Sequence, residues 1–287
     1  MNISNKLSEI PGIHTYINKL EIKALESKLK SKQRAFLLTE KYFIKVGTAK
    51  EKAFYISLLN EIEMYKFLSS DILQIPKLVD YFQNERYIVL ILEKITGSTL
   101  AANRNDFTMQ KDIDSKNVLK EIKNISKLKE YPENVSVLNR DSKAEGYFKM
   151  IYKELDAETR RSTEHLIGTL NQSAKLVFSH GDLIPTNIIK NRNQYYIIDW
   201  EWAGLRPDTY DTALFLLFSG CPVQRLSQFD KLDSCWGLME LYRDALLIAS
   251  REIKNWLDVK DSLMQKKYVK LWLDTLKEAE KRLLLHQ

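Results

Sequence analysis

Between Val177 and Asp211 the chain reads VFSHGDLIPTNIIKNRNQYYIIDWEWAGLRPDTYD. Three short apolar runs in it, VF, II and YYII, each border a polar residue: Asp182 in HGD, Asn187 five positions later, and Asp199 directly after the last run. Short runs of aromatic and β-branched residues between polar turns read as buried strands, and the polar residues fall where those strands end. Two carboxylates and one amide are thereby presented to a single cleft.

That donor set suits phosphoryl transfer. A hydroxyl nucleophile needs a carboxylate to position it and take its proton. The phosphates of a nucleotide travel with Mg²⁺, whose octahedral shell accepts hard oxygens such as those of a carboxylate or an amide. An Asp followed five residues later by Asn has the spacing of a kinase catalytic loop, and an Asp after the next strand completes the set. Alone, Asp182 would be read as a turn or cap residue. In order, HGDLxxxN and IIDWE resemble the aminoglycoside phosphotransferase and choline kinase-like family, a small-molecule branch of the protein kinase-like fold. HGD stands where protein kinases have HRD, and DWE where they have DFG. The resemblance implies Asp182 as the base, Asn187 and Asp199 as Mg²⁺ ligands, and ATP or GTP as phosphoryl donor to a small hydroxylated substrate.

Upstream, LEIKALESK, AFLLTEK and YFIKVG read as three strands separated by polar turns. The third carries Lys45. A strand lysine there is an exposed side chain in many Lys-rich chains; the resemblance makes it the one that holds the nucleotide phosphates. Residues 49–69 follow as an amphipathic helix, with Phe54, Leu58, Ile62, Tyr65 and Leu68 at helical spacing. Glu61 and Glu63 both lie on it, about 200° apart around the axis, so only one can face Lys45. The run EIEMYKFL resembles the family's pattern around the glutamate that pairs with the lysine, which selects Glu61. The phosphate loop is expected near LKSKQRA, a glycine-free turn in which Ser31 is either the phosphate-binding serine or a plain polar residue. Without glycine, backbone amides approach phosphate less freely. Two further strands, KLVDYF and YIVLILE, lead into KITGSTL, which resembles the hinge between lobes. Its backbone would bind the purine edge from Glu93 to Ile95.

From Ser98 to about Lys175 the chain reads as mainly helical, with Val118, Ile122, Ile125 and Leu128 marking one apolar face. His180 and Gly181 are expected to shape the catalytic loop. Asp211, before the apolar helix TALFLLF, is expected to brace that loop or cap the helix. Glu201 stands two residues after Asp199, either as an aid to the metal or as an exposed acid after a strand. The tail carries Trp236, Tyr242, Trp256 and Trp272. At helical spacing these suit core packing, and an aromatic set also suits a cation or a ring. Acids and bases are interleaved here, with none of the acidic clustering that a polycationic substrate would call for.

The expected architecture is α+β: a bilobal protein kinase-like fold with a five-stranded antiparallel N-lobe sheet and one helix over residues 1–95, then a mainly helical C-lobe over 96–287. The formal net charge of +6 comes from lysines spread along all 287 residues rather than from a tract, so a solvated surface is favoured over a nucleic-acid partner. Cys221 and Cys235 form no CxxC or Cys/His pattern, which speaks against zinc and for a reducing compartment. No run reaches the ~18 apolar residues of a membrane span, and MNISNKLSEIPGIH has no apolar signal core. The expectation is a cytoplasmic protein without a membrane partner; its oligomeric state leaves no mark in the sequence. Two rival classes remain. A catalytically silent binding or structural protein could keep this fold, but would not need Lys45, Glu61, Asp182, Asn187 and Asp199 together. A protein kinase would need a longer activation segment than the dozen residues from Asp199 to Asp211.

Overall fold

The computed structural model describes residues 26–29, 34–68, 73–133, 135–170, 174–232 and 237–286. In chain order the first elements are strands β1 (Glu26–Leu29), β2 (Arg34–Leu38) and β3 (Tyr42–Thr48), helix α1 (Lys52–Phe67), and strands β4 (Leu78–Gln83), β5 (Tyr87–Glu93) and β6 (Ser98–Thr99). Then come α2 (Asp112–Ile125), β7 (Ser136–Val137), α3 (Arg140–Ile151), α4 (Ala157–Ile167), β8 (Leu176–Ser179), β9 (Ile188–Asn191), β10 (Gln194–Ile197) and β11 (Gly204–Pro207). Helices α5 (Tyr210–Phe218), α6 (Pro222–Phe229), α7 (Leu238–Leu257) and α8 (Ser262–Leu285) complete the chain. Two compact units result. One holds the described residues up to Ser98 together with Ile189–Trp202; the other holds Thr99–Ile188 and the chain from Ala203 onward.

In the first unit, β2, β3, β5 and β4 form the body of an antiparallel sheet in that order, and β1 adds a four-residue edge along β2. The sequence leads one to expect a five-stranded sheet; four strands make up its body. Strand β5 is buried from Ile88 to Leu92, as an apolar run covered on both faces must be. Helix α1 buries Phe54, Leu58, Ile62 and Tyr65, the residues that its periodicity singles out. Glu61 lies buried among them. The 3-10 turn Trp200–Trp202 packs on this helix, anchored by the fully buried Trp200, whose Nε1 donates to the Ile197 carbonyl at 3.1 Å. At Gly97 the backbone runs at φ 136°, and a Cβ there would stand 2.3 Å from the Lys190 carbonyl oxygen. Only glycine fits.

The second unit is mainly helical. Helix α5 is buried at all nine positions and is the centre of its core. Helices α7 and α8 pack along each other, and α7 also covers α3 and α5. A small sheet, β7-β11-β8, pairs β11 antiparallel to β8 and parallel to β7. Among the described residues side-chain caps start three helices: Asn139 accepts from the Ser142 amide, Asp156 from Thr159, and Asp261 from Leu263 and Met264. No helix among the described residues is long and apolar enough to cross a membrane.

Candidate active site

In the first unit the residues singled out from three separate segments meet. Lys45, in the buried centre of β3, points its ammonium at Glu61 of α1 and bonds both carboxylate oxygens, at 2.8 and 2.7 Å. The same Nζ lies 2.5 Å from Oδ1 of Asp199. Glu63, the other helix acid, faces outward and pairs with Lys66 at 2.6 Å. Asp199 itself sits at φ 70°, in the left-handed region that Asp tolerates better than most residues. Burial alone would push the Lys45 ammonium down, but Asp199 and Glu61 outweigh it and hold its pKa above the ordinary value. Burial pushes Glu61 up, with Lys45 pulling it back. One ammonium between two carboxylates leaves the cluster short of positive charge, which suits a bound cation.

In the second unit the HGD loop is held from behind. Both carboxylate oxygens of the buried Asp211, in the first turn of α5, accept backbone amides: Oδ2 from His180 at 2.6 Å and Oδ1 from Gly181 at 2.9 Å. Asp211 thus braces the loop, one of the two roles open to it. His180 is fully buried, and its Nδ1 accepts the Asp182 amide at 3.3 Å. Gly181 supplies φ 83°. Asn187 ends a 3-10 turn begun by Pro185 and donates Nδ2 to the Asp182 carbonyl at 2.8 Å. That bond turns its Oδ1 away, and the Thr186 hydroxyl reaches it only at 3.5 Å.

The donors fit Mg²⁺ chemically. No group of three or more His, Cys, Asp or Glu gathers as a metal cage among the described residues. Mg²⁺ asks for none: it keeps several waters and takes one or two protein oxygens plus phosphate. Asp199 in the first unit carries a carboxylate of this kind, and Asn187 in the second an amide oxygen. Glu201 lies in the Trp200–Trp202 turn, half-buried, and accepts Trp202 Nε1 at 2.9 Å.

Of the other positions, Ser31 lies outside the described residues, as does Trp236. Glu93 ends β5 with its amide committed to the Lys77 carbonyl at 2.9 Å, and Ile95 lies in the segment after it. Tyr242 and Trp272 are fully buried core residues, and Trp256 stacks on Tyr268 at 4.2 Å.

One group has no counterpart in the sequence reading. Arg104 Nη1 stands 3.1 and 3.0 Å from the two Asp182 carboxylate oxygens, and its Nη2 lies 3.0 Å from Glu252. Arg251, beside Glu252 on α7, bonds that same Glu252 oxygen at 2.9 Å and the Tyr210 hydroxyl at 3.0 Å. Neither arginine belongs to a motif or a periodic face, so nothing local marks them.

Solved structures of similar shape share this fold. A GDP complex of aminoglycoside 2'-phosphotransferase-IIIa superposes with TM-score 0.69 at 16% identity, covering 97% of this chain and 99% of that one. A ternary complex of aminoglycoside phosphotransferase APH(4)-Ia with ADP and hygromycin B gives 0.65 at 14% identity, over 92% and 97% of the two chains. The amicoumacin kinase hAmiN, bound to AMP-PNP and Ca²⁺, gives 0.60 at 13%, over 98% and 96%. No match is found among curated protein sequences. A sequence model of the choline/ethanolamine kinase family matches residues 40–221, from β3 through the HGD and DWE motifs to the end of α5. With well over half of its length matched, the chain belongs to the choline/ethanolamine kinase family, small-molecule phosphotransferases of protein kinase-like fold that act on hydroxyl groups.

Proposed function

We propose that the protein transfers the γ-phosphoryl group of Mg²⁺-ATP or Mg²⁺-GTP to a hydroxyl of a small molecule, with Asp182 as base. The observation that carries this is the double ion pair of Lys45 with Glu61 and Asp199. A lysine this buried is kept charged by two acids from separate segments, as a phosphate-binding lysine must be. The nucleotide complexes of GDP, ADP and AMP-PNP among the similar structures support a nucleotide co-substrate.

Each residue then has one task. Glu61 holds Lys45 in place, and Lys45 binds the phosphates, releasing Asp199. Asp199 and Asn187 supply oxygen ligands to Mg²⁺, with Glu201 as a further acid. The metal, when bound, neutralises the charge that builds on the transferred group. Asp182 orients the acceptor hydroxyl and takes its proton. Glu93 and Ile95 meet the purine through their backbones; the Glu93 amide is already bonded, so Glu93 acts through its carbonyl. Ser31 is the serine of the phosphate turn. Catalysis is then mostly positioning and charge neutralisation.

The test is thermal stability with ATP, GTP and ADP, each with and without Mg²⁺. A ligand at a hundredfold excess over Kd stabilises the folded state by about 2.7 kcal/mol, a rise of roughly 5–10 °C in Tm for a chain of this size. The expected result is such a rise, dependent on Mg²⁺ and lost in Asp199→Ala. Equal stability of wild type with and without every nucleotide would point to a silent scaffold instead. Glu61→Gln should keep the fold but loosen Lys45. Losing one charge-assisted bond should raise KM for the nucleotide by about tenfold or more, and an unchanged KM would remove Glu61 from the site.

A further inference from the structure

Resting on the kinase function just proposed, we infer that Arg104 and Arg251 recognise the acceptor, and that the acceptor carries an anionic group, a carboxylate or a phosphate, beside its reacting hydroxyl. The residues concerned all belong to the second unit. Asp182 must offer a carboxylate oxygen to the acceptor, yet Arg104 Nη1 already lies within 3.1 Å of both oxygens. A second guanidinium nitrogen, Nη2 of Arg251, stands 3.9 Å from Oδ1. Among the described residues the only other carboxylate in contact with these two arginines is Glu252, and both lean on its single oxygen Oε1, at 3.0 and 2.9 Å.

The charges fix what can enter. At rest, two guanidiniums face two carboxylates, Asp182 and Glu252. When Asp182 turns its carboxylate to the acceptor hydroxyl, it turns away from Arg104. Arg104 and Arg251 are then left sharing Glu252 alone. Glu252 cannot serve both better than it does now: it is 2% exposed and locked between them. Burial pushes its carboxyl up, but Arg251 and Arg104 outweigh that and hold it below the usual range. The missing negative charge has to come with the acceptor.

Arg104 is placed to make this exchange. It is the more exposed of the two arginines, and its guanidinium carbon stands over the Phe218 ring, 4.8 Å from the centroid. Its guanidinium meets Asp182 through Nη1 alone, and a carboxylate or phosphate is an equally good acceptor for that nitrogen. An anionic acceptor would take Arg104 from Asp182 and so free the base at the moment its hydroxyl arrives. Arg251 stays fixed by Tyr210 and Glu252 and supplies a second donor. A cationic acceptor such as an amino sugar or a quaternary amine would meet two guanidiniums and find both nearby acids already paired.

The experiment is ADP release with Mg²⁺-ATP against two sets of hydroxylated probes. The first set is glycerate, gluconate, pantothenate and glycerol 3-phosphate; the second is choline, ethanolamine and kanamycin. The best anionic probe is expected to exceed the best cationic one at least about tenfold in kcat/KM, and carboxylate against phosphate within the first set identifies the group. Arg104→Gln should raise KM for that probe by about 30-fold or more while leaving KM for ATP unchanged, and Arg104→Lys should recover part of the loss. A cationic probe as the best acceptor would overturn the inference. So would silence of every anionic probe, in turnover and in binding, from a protein whose Tm still rises with Mg²⁺-ATP. Loss of that Tm rise in the wild type would bring down the kinase function itself, and this inference with it.

Discussion

Asp182→Ala is expected to lower kcat for phosphoryl transfer by about three orders of magnitude, the scale of a lost general base, and to leave the Mg²⁺-nucleotide rise in Tm intact. The two effects separate because the groups proposed to hold the phosphates form their own ion pairs: Lys45 with Glu61 and Asp199. Asp182 instead bonds Arg104 by its carboxylate and Asn187 by its carbonyl. Asp182→Asn is the sharper variant. It keeps the size and can still accept a bond from Arg104, but cannot take a proton. If Asp182 serves only to position Arg104, the Asn variant should remain active while the Ala variant fails. If it is the base, both should fail alike. Basal ATP hydrolysis and transfer to the best acceptor would be measured together under single-turnover conditions. An Ala variant that keeps most of its activity would remove Asp182 from the chemistry.

Much of this site is legible in the sequence because it is written at short range. Asp182 and Asn187 are one loop apart, and the apolar runs around them predict the strands β8, β9 and β10 that frame the loop. The pairing of Lys45 with Glu61 spans 16 residues, and helical geometry reduces the choice to two acids. Only Glu61 meets the lysine, because Glu63 falls on the outer face and finds Lys66 one turn away.

The rest is set at long range. Arg104 reaches Asp182 across 78 positions and Glu252 across 148, and no periodicity encodes such a meeting. Helix starts are missed for a different reason. Apolar spacing begins inside the first turn, whereas the helix begins at a polar cap, as at Asn139 and Asp156. Strand β11 is missed because GLRP has neither alternation nor an apolar run; it is held by β8 on one side and β7 on the other. Helix α6, by contrast, starts at Pro222, where the sequence already reads as helical from Cys221 onward, and proline is well placed in a first turn.

The largest stability effect is expected away from the proposed chemistry, at Asp244. Arg140 is fully buried at the start of α3, and Asp244 of α7 binds it in a fork, Nε at 2.7 Å and Nη2 at 2.9 Å. Glu240 pairs with the remaining Nη1, the Leu170 carbonyl accepts it at 2.9 Å, and the Thr209 hydroxyl donates to Asp244 at 2.6 Å. Asp244→Ala would take from a buried guanidinium the carboxylate that grips it at two nitrogens, and from the Thr209 hydroxyl the oxygen it donates to. Breaking a buried pair from one side costs about 3–5 kcal/mol, or roughly 10 °C in Tm. The pair itself is a different matter. Burial raises the Asp244 carboxyl to about 6, from an ordinary 3.8, even with Arg140 beside it. The folded state therefore binds that proton more tightly than the unfolded one, so the group's contribution to stability is greatest below about pH 4 and is lost as the pH rises through 6. At neutral pH the ionised pair thus stands against a desolvation cost. Replacing both partners with apolar residues, Arg140→Met with Asp244→Leu, should recover most of what Asp244→Ala loses. Thermal melts of the single and double variants at pH 7 decide this: a single variant as stable as wild type, or a double variant less stable than the single, would show that this network does not hold α3 to α7.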